Sequence, residues 1–192
     1  ADEWTVECNP ATLSSEKAQL LRAFGVKRVS LGVQSFDDEL LLRLGRVHTR
    51  QEVFASFDLL RQAGFENINL DLMFAIPGQT LAAWRATLGE AVALSPEHLS
   101  CYEVIYEDDT PLFAQLAAGR IDVNEDLACD FYEELLACAD DQGLAQYEIA
   151  NFARRLTADV AGGVPGRACH HNVNYWRGGS FLGLGPSATG YE

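Results

Sequence analysis

The chain has 192 residues, enough to bury a substantial core and by default one domain. Its 48% apolar content, with 10% aromatic residues, is globular rather than disordered, and a net charge of -14 argues against nucleic acid or an anionic membrane surface as partner. No apolar run approaches the roughly 20 residues of a membrane span, no signal peptide is visible, and five widely spaced cysteines fit a reduced compartment, so a cytoplasmic setting is the expectation.

In chain order, residues 4–8 (WTVEC) read as a short strand closed by Asn9-Pro10. Residues 14–24 are helical, with Leu20, Leu21 and Phe24 expected on one face and Gly25 as the stop. Residues 28–34 (RVSLGVQ) form the next strand, Val29, Leu31 and Val33 alternating. Asp37 caps a short helix with Leu40, Leu41 and Leu44 inward, residues 45–48 are a loop, and residues 50–63 are a helix carrying Val53, Phe54, Phe57 and Leu60. Residues 67–74 are a strand with Ile68, Leu70, Leu72 and Phe74 at period two. Pro77-Gly78 end that run, and Thr80 caps a helix with Leu81, Trp84, Leu88 and Val92 on one stripe.

Residues 98–105 (HLSCYEVI) are a strand, and Thr110-Pro111 opens a short helix. Residues 124–140 form a longer helix with Leu127, Phe131, Leu135 and Cys138 facing the core; Cys129 and Cys138 on it are expected to be buried structural thiols. Residues 146–150 are a last clear strand. Residues 154–168 are loop-like, residues 170–176 compact and aromatic, and residues 181–187 (FLGLGPS) a short strand into a turn. Gly183 and Gly185, like Gly162 and Gly163, are read as turn or close-approach positions, because neither pair has the full G-x-G-x-x-G form between a strand and a helix.

Strands alternating with helices imply an α/β fold with a parallel sheet, either open and doubly wound or a (β/α) barrel. A polar residue within or at the end of each apolar run favours the barrel: Glu7, Gln34, Asp71, then Tyr102 and Glu103. Parallel strands bring their carboxyl ends to one mouth, where such barrels hold their sites. Asp71 sits among apolar neighbours, which is costly without a partner. It is either an aspartate bonded to backbone amides or a ligand contact inside the barrel.

The motifs ECNP (residues 7–10), RVSLGVQSF (28–36), LGRVH (44–48) and NLDLMFAIPGQT (69–80) resemble the radical S-adenosylmethionine (SAM) proteins of the oxygen-independent coproporphyrinogen III oxidase family. HLSCYEV (98–104), YEIANFA (147–153), HNVNYW (171–176) and GLGPSA (183–188) continue the match in order over nearly the whole chain. Ala75 departs from a usual glycine, and Ala150 from a common serine. Within that family, HNxxYW belongs to the heme chaperone HemW branch rather than to the decarboxylating enzymes, which generally lack it. The resemblance implies a partial radical-SAM (β/α) barrel with parallel strands and outer helices, starting at about the third barrel strand. Residues 1–155 would form that barrel, and residues 156–192 a loop and HNxxYW segment packed on it.

Carried over residue by residue, the resemblance implies that Glu7 takes the amino group of SAM, Gln34 and Asp71 hold the ribose hydroxyls, and Arg46 pairs with the carboxylate. The other reading of Arg46 is a solvated loop arginine. Within Cys169-His170-His171, the motif selects His171 as heme-iron ligand, with Tyr175 and Trp176 flanking the porphyrin. Alternatively His171 and Asn172 hydrogen-bond a tight loop while Tyr175 and Trp176 sit in the core. His48 is a candidate for the ligand loop, and His98, at a strand start, is read as structural. The family's C-x3-C-x2-C motif for a [4Fe–4S] cluster is absent, so this stretch is expected to hold no cluster and to make no radical by itself; the cluster ligands would lie outside it. The cofactors so implied are SAM, a 4Fe–4S cluster and heme. Partners would be heme or porphyrin and heme-acceptor proteins. Strand edges left open by an incomplete barrel make a homodimer a further expectation. The rival assignment is an oxygen-independent coproporphyrinogen III oxidase, which decarboxylates porphyrinogen propionates through a SAM-derived radical.

Overall fold

The computed structural model describes residues 2–160 and 162–192. A six-stranded sheet forms the frame, with spatial order β1-β2-β3-β4-β6-β5. Its strands are β1 (Thr5–Cys8), β2 (Arg28–Gln34), β3 (Ile68–Phe74), β4 (His98–Glu103), β5 (Leu144–Gln146) and β6 (Asn151–Arg154). The first four pair in parallel, with Glu7 beside Ser30, Ser30 beside Asn69, and Asp71 beside Ser100. The helices are α1 (Ser15–Ala23), α2 (Asp38–Arg43), α3 (Arg50–Gln62), α4 (Leu81–Ala93), α5 (Pro111–Ala117), α6 (Glu125–Asp141) and α7 (His170–Trp176).

Local sequence sets most of these boundaries. The Asp37 carboxylate accepts from the amides of Glu39 and Leu40, and Thr80 Oγ1 accepts from Ala83 N at 3.1 Å, so both helices start where a short polar side chain satisfies first-turn donors. Gly25 and Gly64 follow α1 and α3 with φ of +89° and +84°, a region in which a Cβ is disfavoured. Alternation along the strands then separates two faces. Val29, Leu31 and Val33 of β2 and Ile68, Leu70, Leu72 and Phe74 of β3 pack under Val53, Phe57 and Leu60 of α3, Trp84 and Leu88 of α4, and Phe131 and Leu135 of α6. The opposite face carries Ser30, Asn69, Asp71, Ser100 and Asn151. Arg61 grips Glu97 through two N–H···O bonds of 3.0 Å, and Glu97 Oε2 accepts from Ile68 N, which ties together the starts of β3 and β4.

Several expectations are corrected. Leu20 and Phe24 are 55% and 68% exposed. The phase of α1 is set by buried Ala18 and half-buried Leu21, and Leu20 lies one residue, about 100°, off that stripe. Cys129 is exposed rather than buried, one position past Ala128 on the α6 stripe, while Cys138 is half-buried. The strand expected over residues 146–150 is instead a hairpin whose turn occupies residues 147–150. Its second strand, β6, pairs antiparallel with both β4 and β5, so the sheet is mixed at this edge. The turn lacks glycine and proline. Side chains hold it instead: Glu148 accepts from Ala150 N and Asn151 Nδ2, and Gln146 Nε2 and Tyr132 Oη donate to the Ile149 carbonyl.

Residues 170–176 are a helix. Of the strand expected over residues 181–187, a single bridge from Phe181 to Tyr191 remains. Gly183 accounts for the chain doubling back there, since a Cβ would lie 2.5 Å from the Thr189 carbonyl oxygen. No helix among the described residues is long and apolar enough to cross a membrane.

Candidate functional site

The polar face of the sheet lines a cavity of about 640 Å³. Its wall takes Glu7 from β1, Arg28 and Ser30 from β2, Asn69 and Asp71 from β3, and Ser100 and Tyr102 from β4; His170, His171 and Asn172 of α7 reach it from the side. Asp71 is held by side chains, not by the backbone amides that one reading of it required. Ser30 Oγ donates to its Oδ2 at 2.9 Å and Asn69 Nδ2 to its Oδ1 at 2.8 Å. Burial pushes its carboxyl above the ordinary value, against the opposing pull of Ser30, Asn69 and Arg28.

Arg28 is 3% exposed, and its Nε has no hydrogen-bond partner among the described residues. Asp2, Glu3, Glu7 and Asp71 outnumber this cation around the cavity. The space therefore favours a ligand that carries positive charge and hydroxyl donors.

His98 lies at the base of the same face, 0% exposed, with Nδ1 2.6 Å from Asn69 Oδ1 and Nε2 2.8 Å from Tyr147 Oη. Burial, reinforced by the Arg28 charge, lowers its pKa well below the ordinary imidazole value, so it is a neutral structural histidine, as its position at a strand start implied. Burial likewise raises the Tyr147 hydroxyl far above its ordinary range and keeps it protonated.

Of the four residues expected around SAM, Glu7 and Asp71 line the cavity together. Gln34 ends β2 at φ +66°, 9% exposed, outside the cavity lining. Arg46 is exposed on the loop after α2. That loop is pinned to the end of β2, because His48 is buried with Nε2 3.0 Å from the Val33 carbonyl. Glu103 shares a register position with Phe74, which belongs to the apolar face, and so does not join Asp71.

On α7, His171 and Tyr175 stand four residues apart and share a face. With Trp176, Tyr102 and Ile149 they line a second cavity of about 350 Å³; Tyr102, His171 and Asn172 border both cavities. Tyr175 and Trp176 are 56% and 58% exposed, so they are not core residues. The His171 ring meets Phe181 edge-on at 5.9 Å, and Phe181 lies 5.6 Å from Tyr175.

Among the described residues, no three His, Cys, Asp or Glu side chains converge to hold a metal ion, and all five cysteines are free. Burial raises the thiol pKa of Cys8 and, further, of Cys101, which opposes the thiolate form a cluster needs. These residues do not fit a cluster site.

Sequence reasoning passed over Arg28, Ser30, Asn69, Ser100 and Tyr147. The signal for the first four is the other phase of the strand alternation: if Val29, Leu31 and Val33 face the helices, Arg28 and Ser30 face the cavity.

A family model for the radical SAM superfamily matches residues 2–91. The heme chaperone HemW of Bacillus subtilis is 40% identical over 190 residues, which cover 98% of this chain and 48% of that protein. HemW of Escherichia coli is 37% identical over 98% of this chain and 46% of its own length. A mitochondrial radical S-adenosyl methionine domain-containing protein 1, from Mus musculus, is 34% identical over 98% and 40%. The chain thus spans about half the length of the curated relatives it matches, or less. Among solved structures, Escherichia coli coproporphyrinogen III oxidase (HemN), described as a radical SAM enzyme, superposes with a TM-score of 0.76 at 24% identity, over 98% of this chain and 44% of that one. The archaeal Elp3 of Methanocaldococcus infernus gives 0.63 at 22% identity, over 69% and 32%. These two likenesses establish the fold: α/β, with a mostly parallel sheet matching part of a radical SAM barrel.

Proposed function

The chain belongs to the radical SAM superfamily, in its HemN/HemW-like branch, and on that premise we propose that it is the SAM- and heme-holding part of a heme chaperone. The observation that carries this reading is that two unlike cavities meet at His171, beside Tyr102 and Asn172: one acidic and lined by Glu7 and Asp71, the other aromatic and lined by Tyr175 and Trp176.

In the first cavity, Asp71 has one lone pair of each oxygen committed to Ser30 and Asn69, which leaves acceptor capacity for the ribose hydroxyls of SAM. Glu7 would take the ligand's ammonium group. Gln34 and Arg46, at the carboxyl end of β2 and the loop pinned to it, would close over the ribose and the carboxylate. In the second cavity, His171 would offer an imidazole nitrogen to heme iron, while Tyr175 and Trp176 cover a porphyrin face with apolar area. SAM bound to a [4Fe–4S] cluster supplies radical chemistry in this superfamily. The cysteines here do not fit a cluster, so its ligands are assigned to the parent protein outside this stretch, and no radical step is assigned to these residues.

We place the parent in a reducing compartment, consistent with five free cysteines. Heme or porphyrin and a heme-acceptor protein are its proposed partners, and pairing of two copies through open sheet edges its proposed assembly.

The test uses the full-length protein. SAM is expected to raise the melting temperature, and Asp71→Ala to abolish that shift. Hemin is expected to give a Soret band that His171→Ala removes. Turnover of coproporphyrinogen without a hemin Soret band would replace this reading with the decarboxylase.

A further inference from the structure

One run of hydrogen bonds connects the Asp71 carboxylate to the first turn of α7, and every donor in it can be assigned. Asn69 must turn its NH₂ toward Asp71, because its carbonyl there would face a carboxylate. Asn69 Nδ2 thus donates to Asp71 Oδ1 at 2.8 Å and to Ser30 Oγ at 2.6 Å. Asn69 Oδ1 is then an acceptor, so His98 Nδ1, 2.6 Å away, carries the proton. His98 is buried and neutral, which makes Nε2 the acceptor for the Tyr147 hydroxyl at 2.8 Å. Tyr147 Oη in turn accepts the backbone N–H of Cys169 at 3.2 Å. All donors point toward Asp71.

The far end of this run matters because it meets the first turn of α7, whereas Phe181 and the Asn174 to Ser180 bond hold the later part of the helix. The helix is seven residues long, and its N-cap residue, Cys169, makes no side-chain cap. Its first donors are met from distant parts of the chain: Cys169 N by Tyr147, and His170 N by Glu3 Oε1 at 3.0 Å. The run also has a definite alternative. If ligand capture swings the Asp71 carboxylate away from Asn69 and the amide then turns over, His98 must carry its proton on Nε2. Tyr147 would then receive two N–H donors and need a new acceptor for its own hydroxyl. The amide of Asn69 interrupts proton transfer, so the run transmits geometry, not protons.

We infer that Asn69, His98 and Tyr147 are positioning residues that couple ligand capture at Asp71 to the seat of α7, the helix that presents His171. This rests on the preceding reading for the identity of the two ligands, and the coupling is reciprocal by linkage.

The experiment titrates hemin into the full-length protein by Soret absorbance, with and without saturating SAM, and follows amide hydrogen exchange over residues 169–173 with no ligand added. Wild type is expected to change its hemin affinity at least about fivefold when SAM is present. Tyr147→Phe keeps the ring and deletes only the hydroxyl. It is expected to bring that ratio to about one and to speed exchange over residues 169–173 on the order of tenfold. Asn69→Ala, which removes a group with no hydrogen bond to α7, is expected to speed the same exchange. A wild-type ratio of one in a protein that binds both ligands, or exchange unchanged in both variants, overturns the inference. If wild type binds neither SAM nor hemin, the proposed function fails, and the two exchange comparisons alone decide whether these residues seat α7.

Discussion

Ala75 follows β3 at a backbone φ of +56°, a left-handed conformation that costs an L-residue with a Cβ roughly 1–2 kcal/mol. The family resemblance places glycine there, and the backbone gives the reason. Ala75→Gly is expected to stabilise the fold by about 0.5–1 kcal/mol, the strain relieved being partly offset by the freer unfolded chain; the shift in urea midpoint at constant m-value measures it. Asp71 yields a prediction in pH. Burial raises its carboxyl above the ordinary 3.8, so the folded chain binds that proton more tightly than the unfolded one. The stability contributed is therefore full below pH 3.8 and is lost as pH rises through the raised folded value. Asp71→Asn is expected to lose less stability than wild type between pH 3.8 and neutrality in paired urea titrations. An equal loss would show that Asp71 titrates alike folded and unfolded.

At the scale of elements, α4 and α7 form for different reasons. The sequence of α4 is rich in Ala and Leu, and it starts where Thr80 caps Ala83 N. Thr80→Ala is expected to cost about 1 kcal/mol in urea unfolding, the usual worth of such a cap. α7 reads HHNVNYW, residues of low helix propensity, in a length far below what is stable alone. Its amides are satisfied by Tyr147 and Glu3, which lie 22 and 167 residues away in the chain. The hairpin of β5 and β6 is of the same kind, its turn shaped by Glu148, Gln146 and Tyr132 instead of glycine or proline.

For the whole molecule, the apolar side of the sheet carries stability and the polar side carries the site. Trp84 joins the layers of the first. It is 0% exposed, its ring lies 5.8 Å from that of Phe74, and Nε1 donates to the Phe131 carbonyl of α6 at 2.8 Å. Trp84→Ala is expected to cost about 3–5 kcal/mol, as truncations of large buried aromatics do. Trp176→Ala, on the exposed side of α7, is expected to stay within about 0.5 kcal/mol of wild type while weakening hemin binding. Denaturant melts and Soret titrations of the two variants in the full-length chain separate these roles.

The order of strands and helices from Thr5 to Glu103 was legible in the chain alone, because period-two and helical stripes, caps and glycine stops are local signals. Polar residues on successive parallel strands also led to the expectation that Glu7, Asp71 and Tyr102 meet at one mouth, as they do at the cavity, whereas Gln34 and Glu103, expected with them, lie outside its lining. Tertiary structure alone decided the direction of β6, the helical state of α7, the burial of Arg28 and the run from Asp71 to Cys169. Each depends on contacts between residues far apart in the chain, where a side chain's partner, rather than its own propensity, sets the conformation.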